Sequence, residues 1–159
     1  MTIGATGEWQ PCVSSLAIWA RSVAALTLHL LVGAGYVPVV ACVAGDRQGR
    51  VYNVNADQMA VACGAAFGAE RLVFLTDVEG VLDGAGRIRR MLTAAESRAL
   101  IADCVATGGM QAKLNAALDA LAGGVARVRI APGAAPDVLA RVLAGEEIGT
   151  EMTLGEEIA

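Results

Sequence analysis

The sequence predicts an α/β domain with an open, largely parallel sheet and helices on both faces. Three observations lead to this fold class. Short apolar runs alternate with helix-like segments, turns containing glycine separate them, and 55% of the 159 residues are hydrophobic while 18% are charged. Strands and helices that alternate along a chain build a parallel sheet. A chain of this length can also bury one sizeable core.

The first predicted strand covers residues 36–44 (YVPVVACVA), an apolar run that follows Gly35 and precedes a polar turn. Such a run, rich in β-branched residues, favours a strand covered on both faces. It belongs to a longer uncharged stretch, residues 22–45, which a histidine, two glycines and Pro38 interrupt. We therefore interpret this stretch as the end of a helix, a turn and a strand, and not as a membrane span.

A helix is predicted next, with Asn55 or Asp57 as its cap and Gly68 at its end. Residues 71–76 (RLVFLT) then form a second buried strand, so the strand, helix and strand make a βαβ unit with a right-handed crossover. Turn residues, a capping-box pattern and glycine pairs predict the remaining elements. These are a hairpin tip at 83–86, a helix that opens at 93–96, a helix at 110–121, a strand at 125–130 and a short helix at 135–144.

The composition argues against a nucleic acid partner. With a net charge of −4 and a pI near 4.9, the chain has no basic surface for a phosphate backbone, whereas a small phosphorylated ligand can be held locally. The four cysteines have no CxxC spacing and His29 is the single histidine, so we expect free thiols in a reducing cytoplasm and no metal cluster. The first residues lack the basic segment and cleavage site of a secretory signal.

Three polar segments are candidates for chemistry, because ligands of open α/β sheets bind beyond the carboxyl ends of the strands. The first is YNVNAD, residues 52–57, between the first strand and its helix. Asn53 could bind a substrate carboxylate and Asp57 could position cationic groups. The alternative is that these residues only shape the turn and cap the helix.

The second candidate segment is LTDVEGVL, residues 75–82, in which a strand continues into a loop that contains glycine. An adenine nucleotide could rest on this loop, with Asp77 and backbone groups in contact with the ribose or the base. The alternative is an ordinary turn between a strand and the next element. Neither the Walker A pattern nor GxGxxG occurs in the chain.

The third candidate segment is ATGGMQAK, residues 106–113, where a glycine pair opens a helix. Glycines let backbone N–H groups approach a phosphate, and a helix N-terminus favours an anion. Lys113, the only lysine of the chain, lies in the first turns of this helix and could neutralise a transferring phosphoryl group. The alternative is an exposed surface lysine.

Five segments together resemble acetylglutamate kinases, which belong to the amino acid kinase family, in their order and approximate spacing. They are GYVPVV (35–40), YNVNAD (52–57), LTDVEGVLDG (75–84), GGMQAK (108–113) and IGT (148–150). The resemblance implies ATP-dependent phosphorylation of the side-chain carboxylate of N-acetylglutamate, in arginine biosynthesis. It covers roughly the last three quarters of the chain and implies a divergent segment over residues 1–27, a nucleotide-binding domain over residues 28–150 and a tail over residues 151–159.

The resemblance also implies roles for particular residues. Asn53 would bind the α-carboxylate of the substrate, Asp57 would organise the catalytic lysines, and Lys113 would stabilise the transition state. The ATP site would be lined by Asp77, Val78, Glu79, Gly80, Val81, Leu82, Val105, Ala106 and Thr107. Magnesium would arrive with the nucleotide, bridging its phosphates. The expected partners are ATP and a small-molecule substrate, with a homo-oligomer left open.

The front of the chain departs from the family pattern. Family members begin with a glycine-rich loop that bears a second catalytic lysine and then an arginine for the substrate, and residues 1–27 match none of these. We therefore expect an N-terminally truncated or divergent chain. Two alternatives stay open: a non-catalytic nucleotide-binding remnant or subunit, and a kinase for a related acylated aminoadipate. The YNVNAD segment disfavours family members that act on aspartate, glutamate, carbamate or UMP.

Overall fold

The computed structural model describes residues 2–3, 9–10, 25–45 and 48–155. The chain divides into two compact units, an N-terminal unit, Met1–Gly68, and a C-terminal unit, Ala69–Ala159. The predicted α/β class is confirmed, and the main sheet belongs to the C-terminal unit. No helix in the described ranges has both the length and the apolar character that crossing a membrane requires.

The described part of the N-terminal unit contains short strands and two helices. Its elements are β1 (Thr2–Ile3), β2 (Trp9–Gln10), α1 (Ala25–Gly33), β3 (Val43–Gly45), β4 (Val51–Asn53) and α2 (Ala56–Phe67). The predicted caps of α2 are confirmed: the Asn55 side chain accepts the N–H groups of Asp57 and Gln58 at 2.9 and 3.2 Å, and Gly68 ends the helix with a φ of +68°. A glycine suits this left-handed end because it has no Cβ.

The predicted buried strand at residues 36–44 is wrong for most of its length. Only β3 is a strand, and it pairs antiparallel with β4, while Val37 and Val39 are 89% and 95% exposed. A strand needs a neighbour for its backbone groups, Pro38 lacks an N–H donor, and no described strand pairs with residues 36–42. Since β3 pairs with β4 and β5 belongs to the four-stranded sheet, the predicted βαβ unit is not observed either.

The C-terminal unit contains a four-stranded sheet with the order β5-β7-β8-β6. Its elements are β5 (Arg71–Thr76), β6 (Met91–Thr93), α3 (Ala94–Ala102), α4 (Gly108–Ala122), β7 (Arg127–Pro132), α5 (Val138–Leu143) and β8 (Thr150–Thr153). β5 and β7 run parallel over six paired residues, β6 and β8 run parallel over three, and β7 and β8 are antiparallel. The sheet is therefore mixed but largely parallel, as the sequence predicts.

Two strands of this sheet, β6 and β8, were not predicted. They are three and four residues long, and periodicity over so few residues is a weak signal. β8 nevertheless occupies an interior position, between β7 and β6, and it includes residues that the sequence analysis places in the tail. The predicted strand at 125–130 is observed two residues later, as β7.

The core of the C-terminal unit fixes α4 against the sheet. Leu114 and Leu121 of α4 and Val128 and Ile130 of β7 are at most 1% exposed, and the helix contacts the strand. Burying an aliphatic side chain of this size contributes roughly 1.5–3 kcal/mol. The core thus holds α4 firmly against the sheet, and the first turns of this helix carry the predicted glycine pair and lysine.

The predicted capping box of α3 is confirmed. Thr93 Oγ1 accepts the N–H of Glu96 at 3.2 Å, and the Glu96 carboxylate accepts the N–H of Thr93 at 2.7 Å. Arg89 Nη2 donates to the same carboxylate at 2.6 Å. The Thr93 N–H, followed by the Arg89 guanidinium, holds the pKa of Glu96 below its ordinary value.

This arrangement predicts a loss of stability in acid. A carboxyl group whose folded-state pKa is lowered stabilises the fold above its ordinary pKa of about 4.3, and this contribution disappears as the pH falls through the lowered value. The melting temperature should therefore decrease as the pH is lowered below about 4.3. This decrease should be less steep in Glu96→Gln than in the unaltered chain. Thermal unfolding from pH 7 to pH 3 measures this. Glu147→Gln, at an exposed glutamate, is the control, and equal slopes in the two variants would contradict the role of Glu96.

Candidate nucleotide-binding site

The carboxyl ends of β5 and β7 lie side by side in the C-terminal unit. Thr76 and Pro132, the last residues of the two parallel strands, are paired, and the N–H of Gly133 donates to the Thr76 carbonyl at 2.7 Å. The chain therefore leaves both strands at the same edge of the sheet. This edge is where α/β proteins bind their ligands.

The predicted nucleotide loop, residues 77–82, begins at this edge. Asp77 and Glu79 are exposed, while Gly80 and Val81 are buried. Thr76 Oγ1 donates to Asp77 Oδ1 at 3.1 Å, and the N–H of Val81 donates to Thr150 Oγ1 at 2.8 Å. The loop thus consists of an accessible acidic part followed by a buried anchor.

A hairpin continues this loop, with its predicted tip confirmed. Leu82 and Ile88 form an antiparallel bridge, and the N–H of Arg89 donates to the Val81 carbonyl at 2.8 Å. The carboxylate of Asp83 accepts the N–H groups of Arg87 and Ala85, both at 2.9 Å. These bonds, led by the one from Arg87, hold the pKa of Asp83 below its ordinary value.

The other predicted ATP segment, residues 105–107, lies next to this hairpin. The N–H groups of Val105 and Ala106 both donate to the Leu100 carbonyl at 3.0 Å, which turns the chain sharply after α3. A methyl group at Gly84 would lie 3.8 Å from Val105 Cγ2. Val105 and Thr107 are exposed and Ala106 is 4% exposed, so the first two can reach a ligand with their side chains.

The start of α4 follows directly. Thr107 is the N-cap but its side chain makes no capping hydrogen bond, and Gly108 has a φ of +54°. Apart from the chain neighbours and the backbone of α4 itself, no atom of the described residues lies within 4 Å of where a methyl group would stand at Gly108 or Gly109. Lys113 is half-buried, four residues after Gly109, and helical side chains lean towards the N-terminus of their helix. Backbone donors and one cation therefore share the first turns of α4.

The predicted substrate residues belong to the N-terminal unit. Asn53 is the exposed last residue of β4, and Asp57 is the half-buried second residue of α2. Asn55, and neither Asn53 nor Asp57, caps the helix. The two predicted substrate residues thus lie on either side of the turn between β4 and α2, while Lys113 and the nucleotide segments belong to the other unit.

Thr150 is a residue of this region for which the sequence predicts no role. Its hydroxyl is fully buried and contacts a backbone group 69 residues away. The sequence shows Thr150 only as the end of the IGT motif, and no spacing rule connects it with the loop at residues 77–82. A contact of this kind can be found only when the sheet order is known.

The described residues include no group of three or more His, Cys, Asp and Glu side chains that could hold a metal ion. Cys42, Cys63 and Cys104 are free thiols, and burial, with a smaller effect of Cys42, raises the pKa of Cys63. An open groove of about 360 Å³ lies between α3 and α4 and contains none of the predicted site residues.

The chain belongs to the amino acid kinase family, whose model matches residues 12–132. It is 74% identical over 125 residues to the acetylglutamate kinase of Solibacter usitatus (strain Ellin6076), covering 79% of this chain and 49% of that protein. It is 40% identical over 149 residues to the acetylglutamate kinase of Vibrio vulnificus (strain CMCP6), covering 94% of this chain and 52% of that protein. The chain thus spans about half the length of these relatives.

The fold of this chain is similar to that of a solved structure as well. N-acetylglutamate synthase from Neisseria gonorrhoeae, complexed with coenzyme A and N-acetyl-glutamate, superposes with a TM-score of 0.77 and 26% identity. The match covers 83% of this chain and 31% of the synthase chain. The fold class predicted from the sequence and the predicted family are both confirmed.

Proposed function

We propose that this chain is the nucleotide-binding part of an acetylglutamate kinase, which uses ATP to phosphorylate the side-chain carboxylate of N-acetylglutamate in arginine biosynthesis. One observation carries the proposal: the loop at residues 77–82 starts at the carboxyl edge of the sheet, is held at both ends and leaves its acidic part exposed. The 74% identity with an acetylglutamate kinase supports the substrate.

The nucleoside and the phosphates of ATP would meet different parts of the site. The carboxylates of Asp77 and Glu79 suit the ribose hydroxyls, which donate hydrogen bonds, and would repel the phosphates. The phosphates suit the start of α4, where backbone N–H groups and the helix dipole favour an anion. The proposed ATP-binding residues are Asp77, Val78, Glu79, Gly80, Val81, Leu82, Val105, Ala106 and Thr107, of which the buried ones would act by shaping the loop.

Phosphoryl transfer to a carboxylate requires two anions to be brought in line, and it needs no general base. Positioning and positive charge would therefore supply the catalysis. We propose Lys113 as the cation that neutralises the transferring phosphoryl group, because it lies in the first turns of α4. Magnesium would enter with ATP as part of the nucleotide substrate, where it would supply positive charge to the phosphates.

The acceptor would be held by Asn53, the last residue of β4. The exposed amide of Asn53 can donate two hydrogen bonds to the α-carboxylate of N-acetylglutamate. Asp57 would organise the catalytic lysines, as the resemblance to acetylglutamate kinases implies. We propose a nucleotide-binding domain that begins near residue 28, after a divergent segment, and the cytoplasm as the location of the protein. The predicted end of this domain at residue 150 lies within β8, which continues to Thr153, so the predicted tail begins too early.

A second candidate function is nucleotide binding without catalysis. One observation favours it: Lys113 is the only lysine among the 159 residues, whereas the resemblance implies two catalytic lysines. A kinase acting on a related acylated aminoadipate is a close variant of the first proposal, and it would use the same ATP site.

Two measurements on the full chain test these proposals. Isothermal titration calorimetry with MgATP measures nucleotide binding, and a coupled ADP-release assay measures phosphotransfer to N-acetylglutamate and to its aminoadipate homologue. We expect ATP binding in the micromolar to millimolar range that is usual for enzyme substrates. Turnover with N-acetylglutamate supports the kinase, and binding without turnover supports the non-catalytic candidate. A chain that binds no ATP would contradict both.

A further inference from the structure

Thr150 is a buried polar residue that connects the centre of the sheet with the proposed nucleotide loop. It is 0% exposed and is the first residue of β8, where it pairs with Ile130 of β7. Its Oγ1 accepts the N–H of Val81 at 2.8 Å. A hydroxyl on an interior strand of the sheet therefore holds a backbone group of the loop.

The loop backbone lies directly on this hydroxyl. Gly80 has a φ of +154°, and a methyl group there would lie 2.8 Å from Thr150 Oγ1 and 3.1 Å from Ile88 Cγ2. Such a close approach leaves no room for a side chain at position 80. The glycine of the loop and the hydroxyl of β8 are thus complementary in shape as well as in hydrogen bonding.

The loop is fixed at two points, and its exposed part lies between them. Before the loop, the Thr76 carbonyl accepts the N–H of Gly133. Within the loop, the N–H of Val81 donates to Thr150, and the Val81 carbonyl accepts the N–H of Arg89. Asp77 and Glu79, which are accessible, lie between these two points. Loss of the bond to Thr150 would leave Val81 held only through its carbonyl, so the loop could move more freely on the side of the residues proposed to contact ATP.

We infer that Thr150 is a positioning residue for nucleotide binding: its hydroxyl fixes Val81 so that the exposed part of the loop at residues 77–82 is preorganised for ATP. The inference rests on the proposed function, since the loop is the proposed nucleotide loop. Preorganisation improves affinity because the loop then loses less freedom on binding. Thr150 itself is buried and makes no contact with the nucleotide.

The test compares Thr150→Val, Thr150→Ser and Ser97→Ala in the full chain. Valine keeps the shape of threonine without its acceptor, and serine keeps the hydroxyl. Ser97 is a matched control, because its hydroxyl is equally buried but donates within its own helix start, to the Thr93 carbonyl at 2.8 Å. The readouts are the ATP dissociation constant, the hydrogen-exchange rate of the Val81 amide and the melting temperature.

We expect Thr150→Val to weaken ATP binding about tenfold and to speed exchange of the Val81 amide by at least as much, because a buried N–H loses its acceptor. Thr150→Ser should keep the ATP affinity and the exchange rate of the Val81 amide close to those of the unaltered chain. Ser97→Ala should lower the melting temperature without changing ATP affinity. Unchanged ATP affinity in Thr150→Val, or an equal loss of ATP affinity in Ser97→Ala, would overturn the inference about Thr150 but not the proposed function. Failure of the unaltered chain to bind ATP would overturn the proposed function as well.

Discussion

Gly149→Ala is expected to lower the free energy of unfolding of the C-terminal unit by about 3 kcal/mol or more. Gly149 has a φ of +73°, a backbone conformation that strains any residue with a Cβ. A methyl group there would also overlap the carbonyl group of Ile130 in the neighbouring strand. Because backbone cannot move aside as a flexible side chain can, β7 and β8 would have to separate.

Thermal unfolding monitored by circular dichroism measures the effect, and a loss of this size corresponds to a fall of roughly 15 °C in the melting temperature of so small a unit. Gly145→Ala is the matched control. Gly145 has a φ of +90° but nothing lies within 4 Å of a methyl group at that position. It should lose only about 1 kcal/mol, from backbone strain alone. Equal losses of unfolding free energy in the two variants would contradict a destabilising overlap between the new methyl group and Ile130.

Under the proposed kinase function, Lys113→Ala is expected to slow phosphotransfer to N-acetylglutamate by about 100- to 1,000-fold, the usual loss when one preorganised charge or donor is removed from a transition state. Alanine is a better helix former than lysine, so α4 should remain folded and the melting temperature should change little. Arg98→Ala, at an exposed cation on α3, is the control for a lost positive charge. An equal loss of rate in both variants would contradict a specific role for Lys113.

The uniqueness of Lys113 gives a second measurement that does not depend on turnover. Since the chain has no other lysine, an amine-reactive reagent can modify only this side chain and the terminal amine. MgATP is expected to slow modification of Lys113 at least several-fold if the phosphates lie against it, and peptide mass spectrometry quantifies the modified fraction. Modification that proceeds equally fast with and without bound ATP would place Lys113 outside the phosphate site.

The features that the sequence predicts well are local ones. The cap at Asn55, the box formed by Thr93 and Glu96, and the hairpin tip after Leu82 each depend on residues within a few positions of one another. Their side chains satisfy nearby backbone groups, so a short pattern contains the necessary information. The position of the loop at residues 77–82 beyond β5 follows for the same reason, because it needs only the end of one strand.

The features that the sequence does not predict depend on distant partners. Residues 36–42 have the composition of a strand but no described neighbour, whereas β8 has only four residues and is a strand because β7 and β6 lie on either side. The bond between Thr150 and Val81 spans 69 residues. Strand pairing and contacts of this kind depend on which strands become neighbours in the complete sheet. The β-propensity of the individual residues is compatible with such pairing but does not determine it. The roles of Asn53, Asp57 and Lys113 remain predictions.

The position of β8 between β7 and β6 has a consequence for how the protein folds during synthesis. β6 pairs with β8 and with no other described strand, although nearly sixty residues separate the two in the chain. During synthesis, β5, β6 and β7 leave the ribosome before β8 does. Residues 91–93 therefore cannot pair with β8 until it has emerged. Pairing between strands far apart in sequence is slow because loop closure has to precede it. The C-terminal unit should therefore complete its sheet late, after translation has passed Thr153.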